Sequence, residues 1–188
     1  MPDSDKHTNL RVFNSDDSSL NVALYMTKLS LRIDPYKEND ERGFPIYDRS
    51  KGLTTTLDPI SAAGLYKFVD KIVNAKAGEK PISLPIPCLA GASLTIERRP
   101  ASNNEGLETF LVINSTKEGK AFQFKFSIIE YKVMEAGQWV TKVIEAGLAA
   151  FMMTIEGYLT CTGVQIHLDK LLEAHQRAIE EQIPDGYF

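Results

Sequence analysis

The sequence predicts an α+β fold, with antiparallel sheets that carry helices on one face. Three observations predict it. Short runs alternate apolar and polar residues at period two: Leu29, Leu31 and Ile33 against Lys28, Ser30 and Arg32, then Phe122, Phe124 and Phe126 against Gln123, Lys125 and Ser127. Apolar residues at helical spacing follow each group of such runs: Ile60, Leu65, Phe68, Ile72 and Val73 in the first half, Val140, Ile144, Leu148, Phe151 and Ile155 in the second. The order of strands then helix therefore occurs twice, and a further amphipathic stretch closes the chain.

Taken in order, residues 1–19 read as a flexible acidic lead-in, and 20–78 as the first strand-and-helix unit. A strand around Leu29–Ile33 runs into the polar loop "DPYKENDERG". Phe44–Tyr47 is a short strand that Pro45 confines to an edge, because proline cannot donate to a ladder. In Lys51–Leu57, Leu53 and Leu57 share one face while Thr54 and Thr56 take the other. Asp58 can cap a helix, and Pro59 suits its first position, where the missing N–H would be unpaired anyway. That helix should end near Lys76 and Gly78.

Residues 79–163 read as the second unit. Ile82, Leu84 and Ile86 alternate, but Pro81, Pro85 and Pro87 restrict this segment to an edge strand or an extended crossover. Strands are expected at Ser93–Arg99, Thr109–Asn114 and Lys120–Met134. In the last, the apolar parity shifts to Ile129, Tyr131 and Val133, which predicts a bulge or bend. The long helix from Val140 carries Gly147 and Gly157. Each costs helix stability, so another backbone should approach closely there. Residues 164–182 form a last helix with Ile166, Leu171, Leu172 and Ile179, and 183–188 a free acidic and aromatic tail.

At 188 residues and 43% hydrophobic, the chain can bury a sizeable core. Its net charge of −4 is unevenly spread. Acids dominate both ends, and the middle is nearly balanced, with its charges in clusters. Two cysteines, Cys88 and Cys161, make neither a disulfide framework nor a metal spacing. No signal peptide and no apolar run of membrane length is visible, so a cytoplasmic setting is expected (host cytoplasm for a viral protein).

Catalytic motifs are missing: no P-loop, no G-x-S-x-G, no H-E-x-x-H. His167 and Asp169 lie two apart on a predicted helix and face different sides. Asp34, Asp40 and Glu41 read as a solvated loop before they read as a metal cluster. No enzyme activity, metal or cofactor is expected.

The positive signal is basic residues interleaved with rings. In the first half these are Lys28, Arg32, Tyr36, Lys37, Arg42, Phe44, Tyr47, Arg49 and Lys51. Arg98, Arg99, Lys117, Lys120, Lys125 and Lys132 follow. Single-stranded nucleic acid requires both features: cations to follow the phosphates, and flat rings to stack the bases at about 1–3 kcal/mol each. A bland reading exists for every residue: Tyr47 as partly buried, the phenylalanines as core, and Lys28 and Arg32 as a solvated sheet face.

The stretch "LRIDPYKENDERGFPIYDRSKGLTTTLDPISAAGLYKFV" resembles the single-stranded DNA binders of the positive cofactor 4 family, in which a basic strand passes through a loop into a Lys-Gly strand and then a helix. Lys51-Gly52-Leu53-Thr54 holds the Lys-Gly place. Two such units in one chain resemble the Whirly proteins, and "GKAFQF" at Gly119–Phe124 is loosely similar to their Lys-Gly-Lys-Ala motif. The resemblance covers about 45 residues clearly. It implies single-stranded DNA lying across the sheet faces, bound with little sequence preference, in replication, recombination or repair, with phage proteins among the settings. Lys28, Arg32, Arg42, Arg49, Lys51, Lys120 and Lys125 would meet phosphate, joined by Lys37 and Arg99, while Tyr36, Phe44 and Tyr47 would stack. The tail "EEQIPDGYF" resembles the acidic tips of bacterial and phage single-stranded DNA-binding proteins. Asp185, Tyr187 and Phe188 would recruit replication or recombination partners. A homo-oligomer is also expected, through the small residues Gly147, Ala149, Ala150 and Gly157. Two alternatives stand: a transcription regulator of the same fold, and a structural or protein-interaction module that binds no nucleic acid.

Overall fold

The computed structural model describes residues 9–25, 27–74, 82–86, 88, 90–100, 107–115 and 117–161. Among the described residues five strands come first: β1 (Asn9–Asn14), β2 (Ser18–Leu24), β3 (Leu29–Asn39), β4 (Pro45–Tyr47) and β5 (Leu53–Leu57). Helix α1 (Pro59–Asn74) follows. Seven more strands come next: β6 (Ile82–Ile86), β7 (Ala90–Gly91), β8 (Ser93–Pro100), β9 (Leu107–Ser115), β10 (Lys120–Lys125), β11 (Ile129–Glu135) and β12 (Gln138–Ile144). Helix α2 (Ala146–Cys161) ends the described part.

All strand pairs are antiparallel. The first sheet has the order β1-β2-β3-β5-β7, with β4 added to the far half of β3. The second has the order β10-β9-β8-β6, and β11 and β12 form a separate hairpin. The expected α+β class with antiparallel sheets is therefore observed.

Period-two alternation builds the core directly. Leu20, Val22, Leu29, Leu31, Ile33, Leu53 and Leu57 point from the first sheet to one side and are buried. Leu94, Ile96, Leu111, Ile113 and Phe124 do the same from the second sheet. Burying one such side chain contributes about 1.5–3 kcal/mol. Leu65, Val69 and Ile72 of α1 and Leu148, Phe151 and Ile155 of α2 join the same continuous cluster. The two units read from the sequence thus share one core, and α2 packs on α1. Phe126 and Phe151 meet at 5.2 Å between ring centroids.

Several local expectations hold for their stated reasons. Asp58 Oδ1 accepts the Ser61 N–H at 2.7 Å and caps α1, with Pro59 in the first helical position. The proline-rich β6 is an edge strand, and so is β4. A Cβ on Gly147 would meet the Ser127 backbone nitrogen at 2.8 Å, so this glycine does admit a second backbone.

Other expectations need correction. Asn9–Asn14 are not a flexible lead-in: they form β1, paired to β2 along its length. Val140 and Ile144 are not helical. They belong to β12, and α2 starts at Ala146. The parity shift after Phe126 is not a bulge within one strand. Residues 126–128 leave the second sheet, and Ile129 starts the separate hairpin. Gly157 has open space where a Cβ would go, so no backbone approaches it among the described residues. Lys76, Gly78, the predicted last helix and the tail lie outside the described residues.

Candidate nucleic-acid interface

The far half of β3 outruns β2 and pairs only with β4, so the two form a projecting ribbon. Tyr36 stands opposite Tyr47 across it. Asp40 builds its tip: one carboxylate oxygen accepts the N–H groups of Arg42 at 2.9 Å and Phe44 at 2.8 Å. Gly43 takes φ +82°, a conformation costly for other residues. The turn sends Arg42 and Phe44 outward, and the Phe44 ring is 64% exposed. Asp40 is thus a turn anchor. Asp34 is fully engaged elsewhere, and no three metal-ligating side chains gather among the described residues.

The ribbon continues into the Asp48–Gly52 loop. The Ser50 hydroxyl donates to Asp48 Oδ1 at 2.6 Å, and Lys51 Nζ lies 3.0 Å from Oδ2. These bonds hold the Asp48 carboxyl down at about 2, the Ser50 hydroxyl contributing most. Eight predicted residues therefore fall on one projection with its loop: Tyr36, Lys37, Arg42, Phe44, Tyr47, Arg49 and Lys51, with Arg32 at the base.

Arg32 is committed inward. Its Nε donates to Asp34 Oδ1 at 2.7 Å, Nη1 to Thr54 Oγ1 at 3.3 Å, and Nη2 to the Arg49 carbonyl. Asn21 Nδ2 donates to the other Asp34 oxygen at 2.9 Å. Asp34 is only 2% exposed and requires these donors, because a lone buried carboxylate is costly. Gly52 lies over the pair: a Cβ there would collide with Asp34 Oδ1 and reach Arg32 Nη2 at 2.8 Å. The Lys-Gly motif thus has a packing reason for its glycine, and Arg32 clamps the loop in place.

Tyr47 also serves structure. Its hydroxyl donates to the Ser15 carbonyl at 2.7 Å, and burial with the nearby Asp16 charge raises its pKa. Tyr36 and Phe44 are the exposed rings of the ribbon. Lys28 lies in the β2–β3 turn, 5.0 Å from the Tyr25 ring centroid and away from the ribbon.

The second-sheet cations divide. Arg99 stacks 4.4 Å over the Phe110 ring, pairs with Glu97 at 2.7 Å and donates to Gln123 Oε1 at 3.1 Å. The Gln123 carbonyl in turn accepts the Ser18 hydroxyl at 2.9 Å. Ser18 is the register partner of Pro35, so Arg99 sits beside the root of the ribbon. Lys125 pairs with Glu108 at 2.6 Å. Lys120 pairs with Glu118 at 3.1 Å at the opposite end of β10. Nearby, a groove of about 480 Å³ is lined by Gly52, Leu53 and Thr54 on one side and by Asn114, Ser115, Lys117 and Glu118 on the other. Arg98 points to the core side, where Glu145 holds it at 2.9 Å.

Nearly every candidate lysine has an acid beside it. Lys37–Glu38 and Lys120–Glu118 are exposed pairs, which contribute little, so an incoming phosphate can replace the carboxylate at small cost. The residues that sequence reasoning missed are Asn21 and Thr54, which orient the Arg32 clamp, and the exposed ring of Trp139 on the hairpin. Neither a scan against protein-family models nor a search of curated proteins finds a match to this chain. Among the described residues no helix is long and apolar enough to cross a membrane.

Proposed function

We propose that this protein binds single-stranded DNA with little sequence preference, in replication, recombination or repair, and that its two strand-and-helix units are a tandem arrangement of the positive cofactor 4 and Whirly kind. One observation carries the reading: the β3–β4 ribbon and its loop bring the cations Lys37, Arg42, Arg49 and Lys51 together with the exposed rings of Tyr36 and Phe44. Cations at this spacing track phosphates while the rings stack bases. Arg99 and Lys125 extend the track at the root of the ribbon. Arg32 supports it indirectly, by fixing the loop that carries Arg49 and Lys51.

The test is a fluorescence anisotropy titration with oligo(dT) and with duplex of equal length, at several salt concentrations. Four neutralised phosphates predict a log–log slope near −3, from about 0.7 per phosphate, and therefore roughly fifty-fold weaker binding between 50 and 200 mM salt. Duplex should bind far more weakly. A flat salt response, or equal affinity for duplex, overturns the reading.

A second reading has its own support. The pairing of Lys37, Lys51, Lys120 and Lys125 with acids leaves little net positive field, which suits a protein-interaction module. That reading expects no oligo(dT) binding at 50 mM salt.

A further inference from the structure

The β11–β12 hairpin stands apart from both larger sheets and pairs with no other strand among the described residues. A two-residue turn closes it, with Ala136 at φ +49° and Gly137 at φ +82°. Such a lone hairpin is at best marginally stable in water. Yet Ile129, Met134, Trp139, Val143 and Ile144 are all exposed on it. Its strand edges are open to a further strand of matching hydrogen-bonding pattern, which would widen the sheet and stabilise it.

We propose that the covering partner is a second copy of this chain, joined β11 to β11 in antiparallel register about a two-fold axis at Tyr131. The backbone pattern limits the choice of registers. With a two-residue turn, Glu135 and Gln138 form the first hydrogen-bonded pair, and such pairs alternate along the hairpin. Glu135, Val133, Tyr131 and Ile129 therefore turn their backbone groups inward to β12. Glu130, Lys132 and Met134 turn theirs outward, and only these can bond to a neighbour.

Charge selects among the registers that remain. Centring on Glu130 puts glutamate against glutamate, and centring on Lys132 puts lysine against lysine. Centring on Tyr131 sets Glu130 opposite Lys132 of the second copy, twice by symmetry, and Ile129 opposite Val133. Opposite charges directly across strands stabilise a pair, and like charges destabilise it. The contact is self-complementary, as a two-fold interface requires. On one face of the resulting four-stranded sheet, rows of Ile144, Ile129, Val133 and Val140 flank the two tyrosines.

Light scattering and sedimentation of the full chain at micromolar concentration test this. The native protein should be a dimer or an even multiple of one. Glu130→Lys alone and Lys132→Glu alone should each weaken the dimer about tenfold, because two symmetric attractions become repulsions. The double variant Glu130→Lys/Lys132→Glu should restore it. Tyr131→Cys in a Cys88→Ser/Cys161→Ser background should cross-link on mild oxidation, because opposed residues in a non-hydrogen-bonded pair lie about 4.5 Å apart at Cα, within disulfide range. Met134→Cys in that background should not. A monomer at these concentrations, unchanged mass in both single variants, or failure of the double variant to restore it would overturn the proposal.

Discussion

Asp48 shows how one side chain sets a loop. Its pKa is held at about 2 by the Ser50 hydroxyl first, with Lys51 and the Ser50 backbone N–H adding to it. A carboxyl whose folded pKa is depressed stabilises the fold above its ordinary value near 4, and the contribution is lost as pH falls through the folded value. The loop should therefore loosen between about pH 4 and pH 2. Carboxyl-carbon NMR should place the native Asp48 midpoint near 2, and Ser50→Ala should raise it toward the ordinary range; an unchanged midpoint would show that Ser50 does not control it. Arg32 makes the same point about what sequence can reveal. Its type and strand position were readable, so it read as a surface cation. Its role as a clamp was not, because that depends on a loop folding back from Arg49 and Gly52 to cover Asp34. The burial of Asp34 is a tertiary fact that local pattern does not carry.

Elements with strong local punctuation were readable. Asp58 and Pro59 start α1, and Pro85 suits β6 to its place at an edge. The β11–β12 hairpin was missed because its signals conflict. Val140 and Ile144 fit helical spacing, while neither Val140, Lys142 and Ile144 nor Trp139, Thr141 and Val143 makes a wholly apolar face at period two. The turn reads Ala-Gly, not the Asn-Gly that marks such hairpins most strongly. The bulky and branched run "WVTKVI" was the available clue to a strand. The β3–β4 ribbon was read in part: its rings, cations and the short strand at β4 were singled out, but Asp34–Asn39, read as a polar loop, continue β3 as strand. Its prediction concerns Phe44, whose exposed ring packs little of the core. Phe44→Ala should weaken oligo(dT) binding by about 1–3 kcal/mol, the value of one stacked base, and leave thermal stability nearly unchanged. Unaltered affinity would remove the ribbon tip from the interface.

At the scale of the whole molecule, the sequence reads as two halves, and the structure shows which contacts tie the described parts together. One joint is polar and lies within the second half. Arg98 of β8, Thr109 of β9 and Glu145 just before α2 form a closed set, with Thr109 Oγ1 donating to Glu145 Oε1 at 2.7 Å. Arg98 and Glu145 are 13% and 17% exposed in their side chains, so removing one strands the other. Glu145→Ala should cost about 3 kcal/mol in urea unfolding, and Arg98→Met/Glu145→Leu should recover most of it. Equal stability of Glu145→Ala and the native chain would show that the set contributes nothing. The tie between the halves is β7. Thr55 and Thr56 of β5 pair with Gly91 and Ala90, and the Thr55 hydroxyl donates to the Ala92 carbonyl at 2.6 Å. Gly91 sits so close to Thr54 that a Cβ would meet its carbonyl oxygen at 2.6 Å. The open side of β5 is therefore closed by residues made only after α1. A ribosome working at about 5–20 residues per second needs a few seconds to travel from Thr56 to Gly91. Throughout that interval the nascent first half presents a bare, threonine-rich strand edge to the cell. The protein's exposure to misassembly is thus greatest while it is being born, and it ends when a two-residue strand arrives.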